Sequence, residues 1–172
     1  PHDPNDNAVV FSFHPAKHIT GGEGGAVVTS SPEHADLMRR FRNNGLDKDH
    51  MHSMLGLNYH IDEISAAILW SQLGRVDKII ERRREIANTY LSHWALDDRL
   101  ILPASRNDHV WHIFVLRVKC DRDAFRAYLK NQEIGTQVHY RPLHLQPILS
   151  GRYRKGTFPV AEKAWESMIT IP

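Results

Sequence analysis

The pattern of hydrophobic and polar positions begins with two short strands joined by a polar loop. Residues 9–13 and 25–29 are apolar runs of the length expected for buried strands. Residues 14–24 contain Pro15 and several glycines, which favour a loop over a helix. The beginning of the chain therefore predicts a strand, a glycine-rich loop and a second strand.

Helix-start signals then follow at two places. Ser31 can cap a helix that has Pro32 in its first position, and Gly45 can end that helix. Asp62 is predicted to start a second helix, and a long amphipathic helix is predicted after Gly74. Four side chains of the second helix are expected to be buried: Ile64, Ala67, Ile68 and Trp70.

The remaining residues predict a strand–helix–strand–helix unit. Residues 111–119 and 136–140 are read as strands, and Asp121 is the predicted cap of the helix between them. Pro159 opens a last helix, and residues 168–172 form an apolar strand that stops in mid-run. This order predicts an α/β architecture with a domain boundary at roughly residues 75–98.

Composition narrows the class of protein. Of 172 residues, 41% are hydrophobic and 24% charged, and no stretch approaches the ~20 apolar residues of a membrane span. A net charge of +2 is too balanced to argue for nucleic acid, and the arginines at 39–42 and 82–84 are more simply explained as solvated helix faces. The single Cys120 excludes an intramolecular disulfide and predicts a reducing, cytoplasmic location.

Twelve histidines raise the question of a metal site. Ligands four residues apart share a face only on a helix, and Pro15 argues against a helix between His14 and His18. No cysteine pair or acidic cluster supports zinc, so we expect no metal.

Lys17 is the residue best placed for chemistry. It follows a predicted buried strand and precedes a run of glycines, whose backbone N–H groups can approach a phosphate. The order of lysine and glycines does not match a nucleotide P-loop. An amine beside an anion cradle suits a Schiff base with pyridoxal phosphate, while an ordinary surface lysine in a turn-rich loop stays the alternative.

Residues 11–25, Phe-Ser-Phe-His-Pro-Ala-Lys-His-Ile-Thr-Gly-Gly-Glu-Gly-Gly, closely resemble the cofactor-lysine segment of the DegT/DnrJ/StrS family. Members of this family are pyridoxal-phosphate sugar aminotransferases of the fold type I, aspartate-aminotransferase-like class. The resemblance continues through residues 42–45, 57–59, 62–67, 82–87, 111–112, 138–147 and 158–162. It implies that residues 1–75 are the C-terminal part of the cofactor-binding large domain. Residues 76–172 would be the interdomain helix and a truncated small domain.

The resemblance also implies roles for individual residues. Lys17 would hold the cofactor as a Schiff base and move the proton during transamination, and Ser12 would bind the cofactor phosphate. Asn58 would reach the cofactor of a neighbouring subunit, which implies a homodimer with shared active sites. The family aspartate for the pyridine nitrogen would lie upstream of Pro1, so we expect the chain alone to be inactive.

Substrate recognition is assigned by the same resemblance. His139, Tyr140, Arg141 and His144 align with a segment near the sugar-nucleotide site. Three runs, at residues 14–20, 138–147 and 156–162, look most like the branch that aminates C4 of a UDP-linked 4-keto-6-deoxy-N-acetylhexosamine in pseudaminic acid biosynthesis. L-glutamate would be the amino donor.

Two alternatives stay open beside this assignment. One is an aminotransferase for another nucleotide-linked keto sugar, and the other is a non-catalytic regulator with the same fold. His60 stands where the family usually has an arginine that helps hold the carboxylate of the donor, so either a protonated His60 or another residue would take that role.

Overall fold

The structure is a computed structural model that describes residues 8–104, 106 and 108–172. The chain forms two compact units, Pro1–Ile79 and Ile80–Pro172. The division lies inside a long helix, Val76–His93 (α3).

The first unit begins with an antiparallel hairpin. Strand β1, Val9–Ser12, pairs with β2, Gly25–Val28, so that Ser12 lies opposite Gly25. Both strands and the loop between them form where predicted, but the prediction that the strands are buried is wrong, because none of their residues is buried and Val10 is 76% exposed. Helix α1, Pro32–Arg42, follows, and the hydroxyl of its cap Ser31 accepts a hydrogen bond from the backbone N–H of His34 at 3.2 Å.

Helix α2, Glu63–Leu73, starts where predicted, because the Asp62 carboxylate accepts a hydrogen bond from the Ser65 N–H at 2.9 Å. The prediction that its apolar face is buried is wrong. Ile64 is 76% exposed and Trp70 is 79% exposed, and Ala67 and Ile68 are also exposed. No segment among the described residues covers these side chains, and apolar side chains of a helix are buried only where a neighbouring element packs on them.

The second unit is built on a three-stranded antiparallel sheet. Its strands, in the order β3-β4-β5, are Leu100–Ile101, Phe114–Val118 and Met168–Ile171. Two helices accompany the sheet: α4, Arg122–Asn131, and α5, Pro159–Ser167. Six side chains form the buried apolar core: Ala87, Trp111, Phe114, Leu116, Val118 and Ile169.

The predicted strand at residues 136–140 is not formed. Gln137 alone makes a β-bridge, exchanging backbone hydrogen bonds of 3.0 and 2.8 Å with Thr170 at the edge strand β5. The chain then leaves the sheet and enters two short 3-10 helices, Leu143–Leu145 and Pro147–Leu149. Strand β4 is also shorter than the predicted range 111–119. Local composition favoured strands in both places, but strands need a partner along their whole length.

None of the helices in the described part of the chain has the length and hydropathy that crossing a bilayer requires.

Candidate active site

The loop that carries Lys17 is a closed and internally bonded hairpin connection. The N–H of Phe13 donates to the Gly24 carbonyl at 2.8 Å, which extends the β1–β2 pairing by one step. The Lys17 N–H donates to the His14 carbonyl at 2.9 Å, so the lysine sits at the end of a tight turn. Its side chain is half-buried. The lysine is therefore held at the end of a strand on an ordered turn.

Thr20 braces this loop in two directions. Its hydroxyl donates to the Phe13 carbonyl at 2.7 Å and accepts from the Gly22 N–H at 2.9 Å. Its backbone N–H donates to the side-chain carbonyl of Gln72 on α2 at 3.1 Å. The sequence did not identify Thr20 or Gln72 as site residues. Thr20 directly precedes Gly21 and Gly22 without a local pattern that marks it, and Gln72 lies 52 positions away along the chain.

Glycines allow this loop to lie against α2 while one side stays open. A Cβ at Gly21 would approach the Ser65 carbonyl oxygen to 2.8 Å, so a side chain there would push the loop away from the helix. Gly22 has a φ of +93°, and a Cβ there would meet no atom within 4 Å. The loop thus needs glycine at Gly21 for close packing and at Gly22 for backbone conformation.

The chemistry of the side chains fits pyridoxal phosphate. Lys17 provides a primary amine for an aldehyde, and Ser12, exposed at the end of β1, provides a hydroxyl for a phosphate oxygen. Among the residues that the structure describes, the Ser12 hydroxyl oxygen accepts one long hydrogen bond of 3.4 Å, from the His14 N–H, so its proton can be donated to a phosphate. Both residues belong to the same hairpin and lie five positions apart in the sequence.

Asn58 lies on a segment bonded along the end of α1. It forms a bridge with Asn43, and its neighbour Leu57 donates from its N–H to the Phe41 carbonyl at 2.7 Å. The Asn58 side chain is exposed and lines a mostly apolar groove of about 940 Å³. Lys17 and Ser12 are not among the described residues that line this groove.

His60, which replaces the expected arginine, is close to Asn43. Its Nε2 lies 3.0 Å from the Asn43 side-chain oxygen, and the His60 side chain is exposed in the same groove. The imidazole is therefore already hydrogen-bonded within the first unit.

The four predicted substrate residues lie in the second unit, on one segment. His139 Nδ1 is 2.9 Å from the Thr170 hydroxyl, and the guanidinium of Arg141 lies 5.7 Å from the centre of the Trp165 ring. Tyr140 is 74% exposed. The structure therefore presents Tyr140 and Arg141 at the surface while the neighbouring His139 is tied to β5.

His144 differs from the other three because it is buried. Its Nε2 lies 2.8 Å from Oε1 of Glu162 on α5, and both side chains are more than 90% buried. Hydrogen bonding from the Gly156 N–H, aided by His144, holds the pKa of the Glu162 carboxyl below its usual range. The sequence analysis did not assign Glu162 a role, although it ends one of the resembling runs.

Metal binding gains no support from the geometry. Within the described ranges, no group of three or more histidine, cysteine or acidic side chains is arranged to hold an ion.

Comparison with known proteins identifies relatives along nearly the whole chain. Residues 5–172 match the model of the DegT/DnrJ/EryC1/StrS aminotransferase family. A pleiotropic regulatory protein of Geobacillus stearothermophilus is 37% identical over 172 residues, which cover 96% of this chain and 46% of the relative. The chain thus spans about half the length of the curated relatives it matches.

Solved structures show the same fold. DesV of S. venezuelae, in complex with a ketimine intermediate, has a TM-score of 0.90 and 36% identity, covering 96% of this chain and 46% of that one. Helicobacter pylori PseC, an aminotransferase involved in the biosynthesis of pseudoaminic acid, has a TM-score of 0.89 and 28% identity, covering 96% and 47%. The predicted fold class, part of a fold type I transferase, is confirmed.

Proposed function

Because the chain belongs to the DegT/DnrJ/EryC1/StrS aminotransferase family, whose members are pyridoxal-phosphate-dependent enzymes, we propose that its protein is a sugar aminotransferase. The observation that carries the proposal is the position of Lys17. This lysine ends a tight turn after β1, on a glycine loop that Thr20 bonds to α2. An amine carried on a hydrogen-bonded glycine loop suits a cofactor that has an aldehyde and a phosphate.

Lys17 on the loop and Ser12 at the end of β1 would have separate roles. Lys17 would hold the cofactor through its Nζ, and the same amine would accept a proton from the substrate carbon and give it up again during the reaction. Ser12 donates its hydroxyl proton to a phosphate oxygen. When bound, pyridoxal phosphate supplies a ring that accepts the electron pair of the broken C–H bond.

For the substrate, we propose a UDP-linked 4-keto-6-deoxy-N-acetylhexosamine that is aminated at C4, with L-glutamate as donor. The product would be UDP-4-amino-4,6-dideoxy-N-acetyl-β-L-altrosamine, an intermediate of pseudaminic acid biosynthesis. Support comes from the three resembling runs and from the likeness to PseC at 28% identity. The exposed Tyr140 and the guanidinium of Arg141 offer a donor and a cation for a sugar diphosphate.

We further propose that two copies share each active site, with Asn58 of one copy at the cofactor of the other. Asn58 supports this because its side chain is exposed on a segment fixed along α1.

The exposed free thiol of Cys120 suits the reducing cytoplasm, where we place the protein.

The role of Lys17 is tested by trapping. The full-length protein, incubated with pyridoxal phosphate, is expected to gain an absorbance band near the visible edge. Borohydride should then fix the cofactor on the peptide that contains Lys17, as read by mass spectrometry. Lys17→Arg should lose both the adduct and roughly a thousandfold or more of the activity, because a guanidinium cannot give up its proton at neutral pH.

Lys48→Arg is the matched control, since Lys48 is an exposed loop lysine of the same unit, and it should behave as wild type. An adduct on a different lysine, or a normal adduct in Lys17→Arg, would refute the assignment.

The substrate is tested by incubating the full-length protein with glutamate and candidate UDP-4-keto sugars. Mass spectrometry and NMR of the product identify the sugar and the stereochemistry at C4. Amination of a different nucleotide sugar would support the proposed reaction and overturn the proposed substrate.

A regulatory role is the second candidate, because the 37% identical relative is named a pleiotropic regulatory protein. A regulator without catalysis would show no cofactor adduct and no formation of 2-oxoglutarate from glutamate. The trapping experiment therefore separates the two candidates.

A further inference from the structure

The three residues His139, Tyr140 and Arg141, here called the 139–141 segment, are anchored to the second unit at one end by β5. Gln137 exchanges both backbone hydrogen bonds with Thr170, and His139 Nδ1 lies 2.9 Å from the hydroxyl of the same threonine. Thr170 is itself buried. The segment therefore leaves the sheet from a fixed point.

The other end of the segment is anchored by His144. Its ring lies in the 3-10 helix Leu143–Leu145 and is 8% exposed, and Nε2 is 2.8 Å from Glu162 Oε1. An ionised carboxylate can only accept, so Nε2 is the donor. The ring also packs edge-on against Phe158, with centroids 4.8 Å apart.

Glu162 joins three separate pieces of chain. Besides His144, its two oxygens accept from the Gly156 N–H at 2.9 and 2.8 Å, and Oε1 accepts from the Phe158 N–H at 3.2 Å. The side chain belongs to α5 and is 5% exposed. One buried carboxylate thus ties together the 3-10 helix, the loop before α5 and α5 itself.

Helix α5 also contacts the segment directly. Trp165, three positions after Glu162, lies under the guanidinium of Arg141, with 5.7 Å between the guanidinium carbon and the ring centre. Tyr140, between the two anchors, remains exposed. Two exposed polar side chains are therefore presented from a segment whose supports are buried.

From this arrangement we infer that Glu162 and His144 are positioning residues for the sugar nucleotide: Glu162 holds His144, and His144 fixes the segment that presents Tyr140 and Arg141 to the substrate. The inference rests on the proposed function, and it assigns His144 a buried support role in place of the substrate contact expected from the sequence. A buried hydrogen bond to a charged group is costly to break, so it holds the segment firmly.

The test is Glu162→Gln in the full-length protein. Glutamine has nearly the same size as glutamate. In the variant, however, an NH₂ group replaces one of the two carboxylate oxygens that accept from N–H donors in wild type. We expect KM for the sugar nucleotide to rise roughly tenfold or more, because the loss of a hydrogen bond to a charged group weakens binding by about that factor. Conversion of glutamate to 2-oxoglutarate in a single half-reaction, followed by absorbance, should stay unchanged.

Glu166→Gln is the matched control, because Glu166 lies on the same helix and its ion pair with Lys155 is exposed. It should leave both half-reactions unchanged. Equal loss in both half-reactions of Glu162→Gln would show a general effect on folding and would overturn the inference.

His144→Gln separates support from contact. If His144 only supports the segment, His144→Gln should raise KM for the sugar nucleotide about as much as Glu162→Gln does. The double variant should then raise KM little further. A much larger loss in His144→Gln than in Glu162→Gln, or additive losses, would show that His144 touches the substrate and would overturn the inference.

Hydrogen exchange gives a readout independent of catalysis. Backbone amides of residues 139–146 should exchange faster in Glu162→Gln than in wild type or Glu166→Gln. If wild type converts no glutamate, the proposed function fails by itself, and unchanged exchange in this segment would separately refute the anchoring by Glu162.

Discussion

At the scale of single residues, Asp97 illustrates how one carboxylate organises a turn. Its oxygens accept from the backbone N–H of Arg99 at 3.0 Å and from two nitrogens of the Arg99 guanidinium at 2.9 and 2.7 Å. The turn leads directly into β3. Hydrogen bonding from the Arg99 side chain, then from its backbone, lowers the pKa of Asp97 to about 2.

This lowered pKa predicts a pH dependence of stability. A carboxylate whose pKa is lower in the folded state stabilises the protein above its ordinary value of 3.8 and loses that effect as pH falls through about 2. Asp97→Asn should therefore reduce the free energy of unfolding at neutral pH, and the difference from wild type should shrink as pH falls from about 6 to about 2.5.

Urea unfolding at both pH values measures this difference. Asp98→Asn serves as the control, because Asp98 is the exposed neighbour in the same turn. A difference that is equal at both pH values would contradict the assignment of the effect to the Asp97 carboxylate.

The candidate site was only partly predictable at this scale. Lys17 and Ser12 could be proposed as site residues because a lysine in a glycine loop after a strand is a local pattern. Thr20 became apparent only from its bonds to Phe13 and Gly22. Glu162 was missed because its partner His144 lies 18 positions earlier in the chain, and no local rule pairs them.

At the scale of elements, the helix starts were predicted correctly because capping is local chemistry. The side chains of Ser31, Asp62 and Asp121 each accept from a backbone N–H three positions later, at 3.2, 2.9 and 2.8 Å. The helices begin at Pro32, Glu63 and Arg122, as the cap residues indicate.

The cap of α4 gives a measurable prediction. Asp121→Ala removes the acceptor for the Ala124 N–H and should lower the free energy of unfolding by about 1 kcal/mol, the usual cost of losing a cap. Asp121→Ser keeps a capping oxygen and should restore most of the loss. Denaturant unfolding followed by circular dichroism measures both. Equal free energies of unfolding for the alanine variant and wild type would show that the Asp121 cap does not stabilise the protein.

Strands were predicted less well than helices. A strand depends on a neighbour that the local sequence does not specify, and residues 136–140 find one only at Gln137. Strand β3, with two residues, has too short a pattern to be predicted at all.

At the scale of the whole molecule, the two units differ in their interiors. Among the described residues, the buried apolar side chains all lie in the second unit, where Ile169 is completely buried. The first unit carries exposed apolar side chains on both strands and on α2, such as Val10, Ile64 and Trp70. Sequence hydrophobicity alone treats these positions alike, although only some of them have a covering layer.

The proposed sharing of sites between two copies predicts complementation. Lys17→Ala and Asn58→Ala should each be strongly impaired alone, since each damages every site. Unfolded together and refolded, they should form mixed dimers in which one of the two sites keeps both residues. Random pairing would then restore about a quarter of the wild-type activity. An activity equal to the sum of the separate variants would contradict shared sites and leave Asn58 with a local role.

The sequence by itself determined the features that a few neighbouring residues control. These are the hairpin with its glycine loop, the caps of the helices and the motif around Lys17, because turns, caps and glycine conformations depend on short-range sterics and hydrogen bonds. Tertiary structure alone decided that the face of α2 is exposed, that Gln137 pairs with Thr170 and that Glu162 holds His144. Each of these outcomes depends on groups brought together from distant positions, and burial is a property of what covers a residue.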